Sequence, residues 1–392
     1  MRTLLAYGFR PFFLLAAAYA PLSLIPWLLM LWRFGSSDGG LNPALWHGHE
    51  MLFGVVGAGL AGFLLTALPS WTDREPIAGR RLLMLVGLWL VSRLTLWFDA
   101  SLPDWMIGVG ACLFLLILCL EAIPYFMAPA GRRHWSLATL LLLVCASQVA
   151  FHVVRAAGNG AVMEPATLLD LALHLYIIMI AVTLTRITAV VIPSALERSG
   201  YSAMIRLSPA RIRVAIGMLC LYTGVAFVLP SHPVTGWVAL AAATSQLDRL
   251  SEWPWGRPMG QPFLLLVVLA YLWIVLGLVF NGIGLLLEGV PAGLGRHAFA
   301  IGAVGTALMS VFCIAGLRHT GRLLDVPWPI WISMTALSVS ALLRVLVPLL
   351  WPGLFLPLGV GTAFLLWASA FAVYLICYTP MLVRPRVDGL PG

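Results

Sequence analysis

The chain has 392 residues, of which 61% are hydrophobic and only 10% are charged, and its mean hydropathy is +0.98. These values exclude a soluble globular protein, and apolar runs recur that are long enough to cross a hydrocarbon core of about 30 Å. All 23 basic residues are arginine, and the formal net charge is +8. The absence of lysine excludes a Walker-type nucleotide site and Schiff-base chemistry, and the scattered arginines give no indication of nucleic-acid binding.

Hydropathy and helix breakers predict an all-α fold, a polytopic membrane helix bundle of about 12 transmembrane helices. We predict a single integral membrane domain over residues 1–392, with no soluble domain and with an uncleaved first span. The predicted spans are 10–33, 43–69, 81–98, 105–127, 135–155, 167–192, 212–230, 232–248, 262–288, 297–317, 328–350 and 354–379.

The distribution of arginine predicts the orientation of these spans. Only Arg33, Arg155 and Arg296 fall on the side opposite the termini, and Arg93 and Arg344 lie within spans. The other eighteen arginines share the side of both termini. Because cytoplasmic segments carry the excess of basic residues, we predict that both termini are cytoplasmic.

The six cysteines all fall in apolar stretches, and none forms a CxxC or CxxCH motif. This excludes covalent c-type haem and favours a role as small packing residues.

Five of the eight histidines are predicted near the outer ends of four spans, whereas His134 and His319 are predicted at the cytoplasmic face. Polar residues gather at membrane interfaces in general, which is one interpretation of this clustering. The other is a metal or haem site, because neutral imidazole binds iron and copper. The five outer histidines are His47, His49, His152, His174 and His297.

Two histidines open the second predicted span, and helix geometry separates them. His47 and His49 point about 200° apart on a regular helix, so they share one metal only if the turn there is irregular. The residues that follow on the face of His47 are Met51, Gly54, Ala58 and Gly62. This small-residue stripe is either a helix-packing seam or a flat face for a porphyrin.

A weak internal repeat relates the second and tenth spans. His49 and His297 are each followed by glycine at five and eight residues and by leucine at eleven residues. The repeat is either a coincidence in a glycine-rich bundle or a sign of two matching helices. The residues that follow His49 in this way are Gly54, Gly57 and Leu60, and those that follow His297 are Gly302, Gly305 and Leu308.

Other charged residues in the spans have two interpretations. Arg93 and Arg344 either extend to the membrane surface or bind haem propionates. Asp170 lies one turn before His174 and either orients that ring or is a simple interfacial acid. No acidic residue is predicted at the middle of a span, which argues against proton pumping.

Several segments resemble the NnrS family, and the resemblance covers nearly the whole chain. The most specific pair is Trp46–Met51 (WHGHEM) followed by Gly62–Ala67 (GFLLTA). The other matching segments are Gly8–Phe13 (GFRPFF), Trp71 with Thr72, the helix opened by His297, His319–Arg322 (HTGR) and, more loosely, Arg186–Pro193.

The resemblance implies a twelve-helix protein of the bacterial inner membrane that contains haem and copper and is linked to denitrification and nitric oxide protection. It also implies ligand roles for His47, His49, His297 and His319. The predicted topology places His319 across the membrane from the others. It therefore belongs either to a second, cytoplasmic site or to a capping arrangement with Arg322.

We therefore expect a protein that binds haem b and copper and that binds or turns over nitric oxide or a related small ligand within the lipid bilayer. An oxidoreductase activity would need an electron donor, which the sequence does not identify. The expected cofactor-binding residues are His47, His49, His174, His297, Arg93 and Arg344. The expected metal ligands are His47, His49, Met51, His152, His297 and His319.

Two other classes of protein compete with this hypothesis. One is a twelve-helix transporter of a metal, a metal complex or a small anion, in which histidines bind transiently; we find no convincing repeat of broken helices for it. The other is a haem–copper oxidase or nitric oxide reductase, but the adjacent histidine pair and the midplane acids of that group are absent.

Overall fold

The computed structural model describes residues 3–33, 41–201, 207–291 and 293–390. All regular secondary structure in these ranges is helical. The α-helices and the three π-helical segments are, in chain order, α1 (Phe9–Leu22), α2 (Leu24–Arg33), α3 (Pro43–His49), π1 (Glu50–Val56), α4 (Gly57–Thr72), α5 (Gly79–Trp97), α6 (Asp104–Met127), α7 (Trp135–Ala157), α8 (Pro165–Arg198), α9 (Pro209–Val228), α10 (Pro233–Leu250), α11 (Pro262–Leu286), α12 (Leu294–His297), π2 (Ala298–Gly305), α13 (Thr306–His319), α14 (Ile330–Leu350), π3 (Phe355–Thr362) and α15 (Ala363–Leu382).

The predicted all-α membrane fold is confirmed, with ten helices in the described ranges long and apolar enough to cross a membrane. Helices also form at the other two predicted spans, α5 and α10, which have 19 and 18 residues and are less apolar. The count of twelve spans and the cytoplasmic termini stay predictions. Of the arginines used for that orientation, Arg2 and Arg206 lie outside the described residues.

Proline determines where many of these helices begin. It is the first residue of α3, α8, α9, α10 and α11, where its fixed φ suits the helix and its missing N–H is not needed. At α3, the side chain of Asn42 also accepts a hydrogen bond of 2.9 Å from the N–H of Ala44. This N-cap fixes the start of the helix that carries His47 and His49.

The chain divides into two compact units, and the single-domain prediction stays a prediction. Unit 1 comprises Met1–Ala172, Ala315–Arg322 and Tyr374–Gly392, and unit 2 comprises Leu173–Ile314 and Leu323–Val373. In unit 1, α1 packs on π1 and α4, while α6 packs on α4, α5 and α7. In unit 2, α11 packs on α10, α12 and π2, and α14 packs on α12, π2 and π3.

The predicted topology can be tested with two exposed residues. In a background without the six native cysteines, Val162→Cys and Leu323→Cys should react with an impermeant thiol reagent from opposite sides of the membrane. Their side chains are 93% and 73% exposed, so both are accessible to the reagent. We expect periplasmic labelling of the first and cytoplasmic labelling of the second, because the arginine excess lies on the second side. Labelling of both from one side would contradict the twelve-span topology.

Candidate functional site

Two histidines of unit 1 face each other inside the helix bundle. His49 is fully buried at the end of α3, and its Nε2 atom lies 3.1 Å from Nε2 of His152 on α7, which is also buried. The rings of Phe53 and Phe151 lie 4.9 and 5.3 Å from the His49 ring. These apolar rings pack against His49, and a neutral imidazole is the form that binds metals.

The geometry of this pair fits two neighbouring ligands of one metal ion. Imidazole nitrogens bind such ions at about 2.0–2.1 Å, so nitrogens 3.1 Å apart can share a centre. No group of three or more His, Cys, Asp or Glu side chains suited to a metal occurs in the described ranges. In these ranges the pair supplies two nitrogens, and any further ligand would have to come from another group.

A glutamine lies beside the pair and adds a third polar group. Nε2 of Gln148 donates to the carbonyl of Ala111 at 3.0 Å and lies 3.4 Å from Nε2 of His49. The same amide has a buried Oε1 atom without a hydrogen-bond partner in the described part of the chain. A buried polar atom in this condition is costly, which favours a ligand or a water at this position.

A buried carboxylate lies on the opposite side of the His49 ring. Glu50 is fully buried; its Oε1 is 3.4 Å from Nδ1 of His49 and accepts a hydrogen bond from Arg93. Its Oε2 accepts a hydrogen bond from the hydroxyl of Tyr19, which itself accepts one of 2.7 Å from the Trp97 indole. Glu50 thus orients the His49 ring as a carboxylate outside a metal's own ligand shell does.

Glu50 and Gln148 were not among the residues expected from the sequence. Gln148 and His152 lie four positions apart on α7, so helical spacing places them on one face. Glu50 is an ionisable residue within a predicted span, which by itself favours a functional role. Both patterns mark Glu50 and Gln148 as candidates. Neither pattern shows that the two side chains lie beside His49, because that depends on how α7 packs.

His47 and His49 face different neighbours, as a regular helix requires. Helix α3 is α-helical through His49, and π1 begins only at the next residue. The His47 ring stacks on Trp27 with ring centroids 4.5 Å apart, whereas His49 faces His152. Met51 is partly exposed. The ligand roles of His47 and Met51 stay predictions, and neither side chain is part of the His49–His152 contact.

The small-residue face below His47 is a packing seam rather than a slot for a porphyrin. A β-carbon at Gly54 would meet Tyr19 and Arg93, and one at Gly62 would lie 2.7 Å from the Phe13 ring. Side chains from neighbouring helices of unit 1 thus occupy the space beside these glycines. Haem does not fit on this face, and the Arg93 guanidinium expected to bind a propionate is bound to Glu50 instead.

In unit 2 the three expected haem-binding residues are His174, His297 and Arg344, and the contacts described for them lie within that unit. Nε2 of His297 lies 2.7 Å from a guanidinium nitrogen of Arg344, which donates the hydrogen bond because arginine has no acceptor. The ring of His174 instead contacts Tyr222, whose hydroxyl is 3.4 Å from Nε2, and Phe299. The orienting role predicted for Asp170 stays a prediction.

His319 lies in an arrangement that holds the C-terminal segment in unit 1. Its carbonyl accepts a hydrogen bond of 3.3 Å from Arg386, and the carbonyl of Thr320 accepts one of 3.2 Å from the N–H of Val387. Hydrogen bonds from Arg386 lower the pKa of the exposed Asp388 to about 2. These contacts favour a structural role for the HTGR segment over membership of the His49 centre, although a ligand role of His319 stays a prediction.

The GFRPFF segment packs directly on the GFLLTA segment. The N–H of Phe9 donates to the hydroxyl of Thr66 at 3.0 Å, and Phe12 and Phe13 cover Gly62. The buried Arg10 guanidinium donates to the carbonyl of Leu382 at the end of α15 and, at 2.8 Å, to that of Arg384 just beyond the helix. These two motifs therefore position α1 against α4 and α15.

These features define a polytopic membrane protein with a buried histidine, carboxylate and arginine cluster. The model of the family described as NnrS protein matches residues 3–386, and the chain belongs to the NnrS family. No curated protein gives a significant match to the chain.

Proposed function

We propose that the protein acts in the nitric oxide response as a metal-binding protein of the bacterial inner membrane, with copper held by His49 and His152. Membership of the NnrS family suggests the nitric oxide role. The observation that carries the proposal is the 3.1 Å separation of two buried imidazole nitrogens. Imidazole is a preferred ligand of copper in both of its oxidation states.

The surrounding residues prepare the two histidines for this task. Oε1 of Glu50 lies 3.4 Å from Nδ1 of His49, and a proton on Nδ1 would leave the Nε2 lone pair directed at His152. Arg93 forms an ion pair with Glu50 and holds its carboxylate beside the His49 ring. Phe53 and Phe151 exclude water from the ring of His49.

Copper held by these two histidines would supply one-electron redox chemistry and would bind nitric oxide. Nitric oxide is small and uncharged, so it can reach an apolar site without a polar channel. The Gln148 amide lies next to the pair and offers a hydrogen-bonding group to a small ligand. Turnover would need an electron donor, which is a further part of the proposal.

Haem b, expected from the family resemblance, has no place on the small-residue face of α4. We assign no step of the proposed function to it. Its candidate ligands in unit 2 are His174 and His297. The Nε2 atom of His297 accepts a hydrogen bond from Arg344. An optical spectrum of the purified protein would detect b-type haem by its Soret band.

The copper site is tested by single substitutions. His49→Ala and His152→Ala should each lose most of the bound copper, because either change removes one of the two nitrogens. The measurement is copper per protein by elemental analysis, with the Soret band recorded on the same samples. His47→Ala is the matched control, since its ring stacks on Trp27 and should not affect copper. Full copper retention in both of the first two variants would overturn the assignment.

A transporter remains the second candidate, and one observation favours it. The apolar helices that carry His49 and His297 each contain a π-helical segment directly after the histidine, and such segments are frequent at functional sites. Proteoliposomes loaded with a copper chelator separate the two functions. A transporter would accumulate copper in them at a rate that depends on His49, whereas the proposed metalloprotein would bind copper without net uptake.

A further inference from the structure

The repeat seen in the sequence extends to three features of the structure. His49 and His297 each stand directly before a π-helical segment, π1 in unit 1 and π2 in unit 2. An arginine is the fifteenth residue of the second α-helix after each π-helical segment, Arg93 on α5 and Arg344 on α14. The first repeated glycine is covered in each unit by an aromatic ring, Tyr19 in one and Trp273 in the other. These glycines are Gly54, which Tyr19 covers, and Gly302, which Trp273 covers.

The two copies of this arrangement differ at one important position. The residue after the histidine is Glu50 in unit 1 but Ala298 in unit 2. In unit 1 the carboxylate forms an ion pair with Arg93. Arg344 has no ion pair with a carboxylate anywhere in the described ranges, and it donates to the neutral acceptor His297 instead. The second copy therefore keeps a positive charge that the first copy neutralises.

We propose that Arg344 and His297 form an anion site that takes a planar oxyanion or carboxylate group. This site goes beyond the proposed copper function and does not depend on it. A guanidinium has five N–H donors in a planar fork that matches two oxygens of one ligand. The bonds described for Arg344 use only part of this set, one to His297 and a longer one of 3.4 Å to the carbonyl of Gly359.

The surroundings hold Arg344 in place for such a ligand. Its guanidinium lies 5.0 Å from the centre of the Phe355 ring on π3, a favourable cation–π distance. An arginine within an apolar helix is costly without a counter-charge, so an anion at this point is stabilising. A small free anion, a lipid headgroup and a haem propionate all present the same oxygen chemistry to the site.

The experiment measures binding of sodium nitrite and sodium acetate to the full chain in nanodiscs of neutral lipid by isothermal titration. Ala298→Glu restores the carboxylate of the first copy, and Arg344→Gln removes the charge. Each should weaken anion binding about tenfold or more, because a charge-assisted pair contributes roughly 1.5–3 kcal/mol. Ala298→Gln has the shape of glutamate without its charge and should bind nearly as well as the parent protein.

Further arms of the test identify the source of the anion. Arg198→Gln removes an arginine that pairs with Asp325, so it controls for net charge and should keep binding. If anionic lipid competes with nitrite and acetate, the result would support the anion site and identify a lipid headgroup as its occupant. If Arg344→Gln folds normally but loses haem, the result would support the anion site and identify a haem propionate as its occupant. Unchanged nitrite and acetate affinity in Arg344→Gln, or equal loss in Arg198→Gln, would overturn the proposal whether or not copper binds at His49. Should Ala298→Glu not fold, Arg344→Gln decides the outcome.

Discussion

Replacing Glu50 with alanine is expected to lower the free energy of unfolding by about 3–5 kcal/mol, because it breaks a buried ion pair on one side only. Glu50 is fully buried, and the Arg93 side chain is 5% exposed. The substitution leaves the Arg93 charge without a partner and removes the acceptor of the Tyr19 hydroxyl. The unfolding midpoint in mixed micelles of detergent and SDS measures the effect.

Two further variants separate this effect from a general loss of charge. Asp325→Ala breaks a pair in which the carboxylate is 69% exposed, so the expected loss is at most about 1 kcal/mol. The double variant Glu50→Leu with Arg93→Met removes both charges and should be more stable than Glu50→Leu alone. A loss below about 1 kcal/mol in Glu50→Ala would show that the pair is not a buried ion pair in the folded protein.

The helices could be predicted from the sequence because each apolar run is long and five of them begin at a proline. The predicted span 232–248 forms a helix, α10, which extends to Leu250 although it is less apolar than most of the others. The three π-helical segments could not be predicted in this way. Their hydrogen bonds shift by one residue without any change in the apolar pattern, so hydropathy does not distinguish them from α-helix.

The site was only partly accessible to the same reasoning. Helix geometry predicted that His47 and His49 face different neighbours, and the predicted membrane depth grouped His152 with them. Depth does not give the direction of a side chain around its helix axis, however. The sequence therefore gave no means to pair His49 with His152 across 103 positions or to pair Glu50 with Arg93. Those contacts depend on which faces of α5 and α7 pack on α3 and π1.

The small-residue face of α4 provides the last prediction, in which Gly62→Ala lowers the free energy of unfolding by about 1–3 kcal/mol. The new β-carbon would lie 2.7 Å from the Phe13 ring, closer than packed carbons allow, and α1 would have to shift.

The matched control is Gly57→Ala in the same helix, where the nearest atoms lie 3.9 and 4.0 Å from the new carbon. Both changes add the same methyl group and gain the same helix propensity, so the difference between them isolates the contact with α1. Thermal unfolding of samples with known haem content gives the comparison. Because the face is filled by Phe12 and Phe13, haem per folded protein should not change in either variant. A fall in haem content with unchanged stability in Gly62→Ala would instead indicate that a porphyrin, and not α1, occupies this face.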